Sequence, residues 1–478
     1  MGHVERAARF VADPERTRWH DEALWHVRTR RDAAARLVPD WEDLREQAAA
    51  IKRHALGRLP ELWQAFETNA SRAGTIVHWA RDAREHNEIV YRLLQERGIR
   101  RVVKSKSMLT EECGLNPHLG KRGIEIVDTD LGERIVQLRR EAPSHIVMPA
   151  IHLRRREIGE LFEREMGGPK GIDDPEALTA LARRDLRARF LAAEAGLTGV
   201  NFAVAETGGF VVVTNEGNAD LGTALPDLHI ASVGLEKILP KQGDLAPFLR
   251  LLARSATGQA MTAYTSHFRG PRPPSPAAPP DRPGSDGRRD PELHIVIVDN
   301  GRSRLLGTPA FREALACIRC GACLNTCPVY RRSGGHSYEA TIPGPIGSVL
   351  ETARDSRTHA ELPFACSLCG SCSEVCPVRI PLHRQLLAFR ESISSDDPHR
   401  RLRRWGLDLL GRVMLRPAHY ERLGRWGRAF ARRLPGTWLE GLLGPWTRHR
   451  SLPTLPSRSF RELHRERVKA RAAREDGR

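Results

Sequence analysis

Two runs of four cysteines carry the clearest chemistry in this 478-residue chain. The first reads Cys317-Ile-Arg-Cys320-Gly-Ala-Cys323-Leu-Asn-Thr-Cys327-Pro328. The second reads Cys366-Ser-Leu-Cys369-Gly-Ser-Cys372-Ser-Glu-Val-Cys376-Pro377. Both follow C-x2-C-x2-C-x3-C-P, and together they hold eight of the nine cysteines. Thiolates are soft ligands that match iron and sulfide. Three cysteines at this close spacing grip one cubane cluster, and the fourth, displaced by a longer step, ligates the other. The spacing therefore assigns Cys317, Cys320, Cys323 and Cys376 to one [4Fe–4S] cluster. It assigns Cys366, Cys369, Cys372 and Cys327 to a second. Pro328 and Pro377 are expected to end the short helical turns and steer the chain away. A disulfide framework suits a short secreted chain, which this is not. Zinc binds C-x2-C pairs, but a proline-ended run of four, written twice, fits clusters better. Electron transfer is the default role of such a pair, with a purely structural role as the lesser alternative.

The elements before the cysteines must position them. Residues 1 to about 70 read as helices, with Asp40 an N-cap for the helix from Trp41. A helix is expected from Ile76 to Arg97, carrying His78 and Trp79 as packed or solvated side chains and ended by Gly98. From residue 100 short strands alternate with helices: Arg101–Lys104, Gly123–Asp128 and His145–Met148 read as strands. Thr198–Asn218 holds two β-rich runs around a Glu206-Thr207-Gly208-Gly209 turn, followed by strands at His229 and Leu293. This alternation indicates an α/β layer with a parallel sheet. Ligands of such sheets sit at the carboxyl ends of strands. The turn Lys104-Ser105-Lys106-Ser107 is thus a candidate anion site or, equally, a solvated basic turn. Glu206, Thr207, Gly208, Asn215 and Glu216 are candidate ligand groups that also suit hairpin and cap positions. Residues 271–291 form a Pro-rich loop unable to pack a core. The 38 residues between the cysteine runs exceed the tightest two-cluster ferredoxins and point to a helical form. Helices are expected over Ser348–Arg357 and Ile380–Arg390.

Cysteine use indicates a reducing compartment. The N-terminus shows no apolar signal region, and no window offers ~18 consecutive apolar residues. From residue 401 to 478 there are 20 Arg and Lys against 7 Asp and Glu, so this tail carries +13 of the net +17. It also holds four of the nine tryptophans, Trp405, Trp426, Trp438 and Trp446. Basic, aromatic stretches suit partner docking first, an anionic membrane surface second and nucleic acid third.

Several motifs carry a nearly full-length resemblance. They are Val77-His78-Trp79-Ala80, Lys104-Ser-Lys-Ser-Met108, Pro143-Ser-His-Ile-Val, Gly199-Val-Asn-Phe-Ala-Val-Ala-Glu-Thr-Gly208, Ser255-Ala-Thr-Gly-Gln259, the first cysteine run and Gly344-Pro-Ile-Gly347. On these the chain resembles the lactate utilization protein B family. The resemblance implies an N-terminal helical segment (1–70) and a LUD α/β domain (71–304) of NagB/RpiA/CoA-transferase type. It implies a two-cluster ferredoxin-type domain (305–392) and a basic helical extension (393–478). It implies the iron–sulfur subunit of a NAD-independent complex that oxidises L-lactate to pyruvate, not catalytic alone. The alternative is a LUD-domain enzyme acting on another small 2-hydroxy acid or CoA-like ligand. Implied partners are a cysteine-rich iron–sulfur oxidoreductase subunit and a small LUD-only subunit. The expected location is cytoplasmic, with peripheral membrane contact through the tail and no nucleic acid. Glu339 stands where the family pattern suggests glycine.

Overall fold

The computed structural model describes residues 2–273, 290–395, 400–433, 441, 444 and 456–475. The Pro-rich loop lies largely outside them, as do Trp438 and Trp446. The chain divides into two units, residues 1–393 and 394–478.

Among the described residues ten strands build the first unit: β1 (Ile76–Ala80), β2 (Arg101–Lys104), β3 (Glu125–Asp128), β4 (Ala195–Gly199), β5 (Phe202–Val204), β6 (Gly209–Thr214), β7 (Leu228–Gly234), β8 (Ile238–Leu239), β9 (Tyr264–Phe268) and β10 (Glu292–Val298). Six form one sheet in the order β1-β10-β7-β4-β2-β3, every neighbouring pair parallel. Its central strands β7 and β10 are buried along almost their whole length. Near-continuous apolar runs are what a parallel sheet covered on both faces requires. The order runs one way from β2 to β3 and the other way from β4 through β7 to β10. It reverses between β2 and β4, where open α/β sheets leave a crevice. The Glu-Thr-Gly-Gly turn does join a hairpin, β5 to β6, within a second sheet ordered β8-β5-β6-β9.

Four expectations need correction. Residues 76–80 are strand, not helix, so His78 and Trp79 sit on the sheet edge. The β-branched and aromatic run Thr-Ile-Val-His-Trp favours a pleated edge, and the helix waits for Asp82, whose carboxylate caps Glu85 N at 2.8 Å. Residues 145–148 are turns, not a strand, because the amides of Val147 and Met148 both donate to His145 Nδ1, at 3.0 and 3.1 Å. Asp40 occupies the N-cap position, but its carboxylate pairs with Arg250 at 2.9 Å instead of capping. The short helical turn Ala322–Thr326 does end before Pro328, but Pro328 then opens a further helix, Pro328–Ser333, as proline at a first helical position can.

The N-terminal helices are His3–Val11, Pro14–Arg36, Trp41–Gly57 and Leu59–Arg72. Trp63 and Phe66 share one core with β5, β8 and the cysteine-bearing segment, including Ile318, Leu324 and Ile346. That segment is helical: Ala322–Thr326, Pro328–Ser333, Gly344–Arg354 and Leu382–Ser395. The second unit contains helices Arg400–Met414, Pro417–Ala431 and Phe460–Glu475, with Trp405 and Trp426 exposed. No helix among the described residues is long and apolar enough to cross a membrane.

Two histidines buried beside the sheet make stability depend on pH. His229 pairs with Thr198 Oγ1 at 2.8 Å, and burial lowers its pKa to about 3. His86 pairs with Ser232 and Asn87, and burial lowers it to about 4. The unfolded chain protonates histidine below about 6.5, so stability is full above that pH and falls as pH drops toward 4. Between about pH 7.5 and about pH 5.5 each imidazole is expected to cost about 1.4 kcal/mol. Urea midpoints across this range check it: His229→Gln should flatten the fall, and an equally steep profile contradicts the assignment.

Candidate functional site

The two cysteine runs fold alike. Arg319 and Gly321 in the first have φ of 60° and 76°, and Leu368 and Gly370 in the second have 56° and 79°. These left-handed pairs curl each loop back on its first sulfur, so that Arg319 N points to Cys317 Sγ at 3.4 Å and Leu368 N to Cys366 Sγ at 3.3 Å. After each last cysteine, Tyr330 N points to Cys327 Sγ at 3.5 Å and Ile380 N to Cys376 Sγ at 3.4 Å. Amide donors aimed at sulfur favour its anionic form.

The fold brings sulfurs of the two runs together. Cys317, Cys320, Cys323 and Cys376 line one small cavity walled by Ile146, Ile318, Ile346 and Leu382. Cys372 is influenced by the charges of Cys327, Cys366 and Cys369. Burial, then neighbouring sulfur, pushes Cys372 up to about 12. Burial pushes Cys327 and Cys376 up to about 11, against the pull of the amides beside them. Left alone, these thiols stay protonated at neutral pH. A cationic core reverses that, because metal-bound thiols lose their protons. The donor set therefore fits soft-metal clusters. Among the described residues no three His, Cys, Asp or Glu groups are arranged to hold a single metal ion. The ninth cysteine, Cys113, lies apart in the core under β2 and β4.

Arginines from the N-terminal helices brace these loops. Arg45 donates to Cys376 O at 2.9 Å and Glu374 O at 2.5 Å, and Arg31 to Val375 O at 3.2 Å. Arg28 reaches Thr326, which itself bonds Ser371 at 2.5 Å and so ties one run to the other. On the opposite side His145 fastens the α/β layer. Its Nδ1 accepts two amides, so Nε2 carries the proton and donates to Asn325 Oδ1 at 2.9 Å. Tyr330 donates to Ser144 O at 2.6 Å.

The strands' carboxyl ends open on a cavity of about 360 Å³. Its wall includes Lys106, Ser107, Asn215 and Glu216, which the sequence proposed, and also Cys320. Cys320 and Ile146 thus form a shared wall between this cavity and the sulfur-lined one. Lys106 pairs with Asp130 at 3.1 Å and donates to Val147 O at 2.9 Å. Burial and then the Asp130 carboxylate raise Glu216 to about 7.

The other proposed residues lie elsewhere. Lys104 is wholly buried between Asp128 at 2.7 Å, Glu111 at 2.9 Å and Glu133 at 3.7 Å. Burial alone would lower its pKa, but these carboxylates outweigh it and keep the amine charged. Ser105 is buried and extends β2 by donating its amide to Leu197 O. Glu206 accepts from Gln242 N at 2.9 Å, beside Thr207 in the β5–β6 turn. Gly208 has φ +67°, and a Cβ there would meet Ala70 N at 2.1 Å, so the turn is shaped to seat a helix.

Sequence reasoning missed a charged group beside the cavity. Arg302 joins Glu236 at 2.5 Å and Glu112 at 2.9 Å, and Arg319 lies 3.6 Å from Glu236. Burial opposes ionisation of Glu236, yet Arg302 and Lys237 hold it at about 2. Glu236 and Arg302 follow the carboxyl ends of β7 and β10, the place where such groups were to be sought.

Residues 63–298 match the LUD domain, and residues 313–380 match the 4Fe-4S dicluster domain. Lactate utilization protein B of Oceanobacillus iheyensis is 43% identical over 372 residues, covering 78% of this chain and 75% of that protein. The chain belongs to the lactate utilization protein B family. The family member of Bacillus pumilus is 40% identical, covering 92% of each chain. An Escherichia coli relative, described as the uncharacterized electron transport protein YkgF, is 39% identical over 80% of this chain and 79% of its own. A crystal structure of a DUF162 family protein from Deinococcus radiodurans overlaps 50% of this chain and 98% of that one, at 15% identity and a TM-score of 0.27.

Lys104→Met tests the division between structural and cavity-lining lysines. Removing one partner of a buried ion cluster leaves unpaired charge and costs about 3–5 kcal/mol. The variant should lower the denaturant midpoint accordingly, and a change below about 1 kcal/mol would contradict a structural role for Lys104.

Proposed function

We propose that this protein is an iron–sulfur electron-transfer subunit for lactate utilization, working in a NAD-independent oxidation of L-lactate to pyruvate. One observation supports the reading: Cys317, Cys320, Cys323 and Cys376, drawn from both runs, line one small cavity next to the larger one of the α/β layer. Cys320 borders the cavity, and Cys369 is exposed. Cys317, Cys320, Cys323 and Cys376 would hold one [4Fe–4S] cluster, and Cys366, Cys369, Cys372 and Cys327 the second. When bound, such clusters accept and release electrons one at a time. The chain's own residues do the rest. Arg28, Arg31 and Arg45 brace the loops with positive charge, the amides aimed at sulfur stabilise thiolate, and Ile146, Ile318 and Ile346 pack an apolar wall against the inner set.

A one-electron relay does not take a hydride, and no G-x-G-x-x-G follows a strand here. The first acceptor is therefore assigned to another subunit, with a cysteine-rich iron–sulfur oxidoreductase and a small LUD-only protein as partners. The domain borders 71–304 and 305–392, and a NagB/RpiA/CoA-transferase type for the α/β layer, belong to the same reading. The tail from 393 would dock a partner or rest on an anionic membrane surface.

Anaerobic iron analysis and EPR of serine variants test the crossing. Cys376→Ser should lose the same signal as Cys317→Ser, and Cys327→Ser the same signal as Cys366→Ser. Cys113→Ser should keep full iron. Loss grouped by run, 317 with 327 and 366 with 376, would refute the crossed assignment.

A further inference from the structure

The cavity beside Cys320 is more than a gap between layers. Its walls combine apolar side chains, including Met108, Ile146, Val200 and Leu252, with hydrogen-bond donors that have nothing to bind. Lys237 lines it, and among the described residues its amine makes no hydrogen bond or ion pair. Asn201 turns its Oδ1 to accept from Val213 N at 3.0 Å, which leaves its NH2 group unmatched. Arg319 Nη1 is buried without a hydrogen-bond partner, although Nη2 of the same side chain lies 3.6 Å from Glu236.

A buried donor left unpaired, as Arg319 Nη1 is, is costly and calls for an acceptor, and the half-buried Lys237 and Asn201 offer further free donors beside it. Three of the four carboxylates lining the cavity are engaged by cations, and the fourth, Glu216, accepts from Leu131 N. Glu112 and Glu236 both serve Arg302, and Asp130 serves Lys106. Cations and carboxylates line the cavity in equal number, four of each, but most of the carboxylates are paired, so the groups left unmatched are chiefly donors; set against apolar walls, they describe a seat for an organic anion. The seat lies at the β2/β4 switch point, where α/β sheets hold their ligands.

We propose that this cavity binds an organic carboxylate, held by Lys237, Asn201 and Arg319 against the wall formed by Cys320. The inference rests on the relay reading only in that Cys320 would hold the inner cluster. It gives this subunit a ligand of its own, whose occupancy the inner cluster would register and the outer one would not. The relatives' names make L-lactate and pyruvate the first probes.

The test uses the full chain with its clusters, handled anaerobically. L-lactate, pyruvate, propionate and sulfate are titrated by calorimetry, and the EPR spectrum of the reduced protein is recorded with and without each. At least one carboxylate should bind, and it should shift the signal that Cys317→Ser removes while leaving the other unchanged. Lys237→Met should weaken binding about tenfold or more, the usual loss for a charge-assisted hydrogen bond. Asn201→Asp keeps the bond to Val213 N but adds a negative wall, and should weaken it comparably. Iron content should stay that of the unaltered protein in both. A fully iron-loaded chain that binds no probe overturns the inference while leaving the relay reading intact. So does an affinity in both variants equal to that of the unaltered chain, or a preference for sulfate. Loss of iron from the unaltered chain would instead strike the relay reading, and carboxylate binding by calorimetry would still decide this one.

Discussion

Five of the eight thiols in the two runs, Cys320, Cys323, Cys327, Cys372 and Cys376, are buried and cannot ionise unless something balances their charge, and much of this structure answers that constraint. Burial pushes the sulfurs toward their protonated form, so the fold supplies everything that pulls the other way. Left-handed residues at matching places in both runs aim amides at sulfur. Helices that precede the sheet in sequence return to lay Arg28, Arg31 and Arg45 on the loops. Cys376 of the second run lines one cavity with Cys317, Cys320 and Cys323 of the first, so the runs are packed together. The 38 residues between them are then free to be helix and core, not turn.

The same constraint shapes the join between layers. His145, Asn325 and Tyr330 fasten the α/β layer to the cysteine loops through directed hydrogen bonds. Gly335 lets the backbones touch there, since a Cβ would lie 1.8 Å from Ser144 O. On the far side of the cavity Arg302 ties the ends of β7 and β10 to Glu112, and Glu236 extends the group to Arg319 inside the first cysteine run. A conformational change at the strand ends would therefore be felt at Cys317 and Cys320. Glu339, where the family pattern suggests glycine, adopts φ +47° and pairs with Arg6, so a left-handed position is kept at some backbone cost.

Much of this was legible in the sequence, for physical reasons. The cysteine runs carry their chemistry in their spacing, and the buried runs at His229 and Leu293 read as strands because parallel strands are apolar on both faces. What failed depended on partners distant in sequence. Ile76–Ala80 looked helical because its strand character comes from pairing with β10, more than 200 residues later. His145–Met148 looked like a strand because a side chain, not another strand, takes its amides. Lys104 and Lys106 are two residues apart and would share one face of a continuous strand, but β2 ends at Lys104, so one sits in a carboxylate nest and the other reaches the cavity. Lys237 and Arg319 were passed over because their importance comes from the space they face, which composition does not show.

The central claim is that two clusters, crossed between the runs, lie close enough to form one path. EPR of the fully reduced wild-type protein, with iron counted on the same sample, tests it most directly. The account predicts iron for two cubanes per chain and a spectrum broadened by spin coupling between two reduced centres. Iron for a single cubane, or two sharp signals with no mutual coupling, would contradict it.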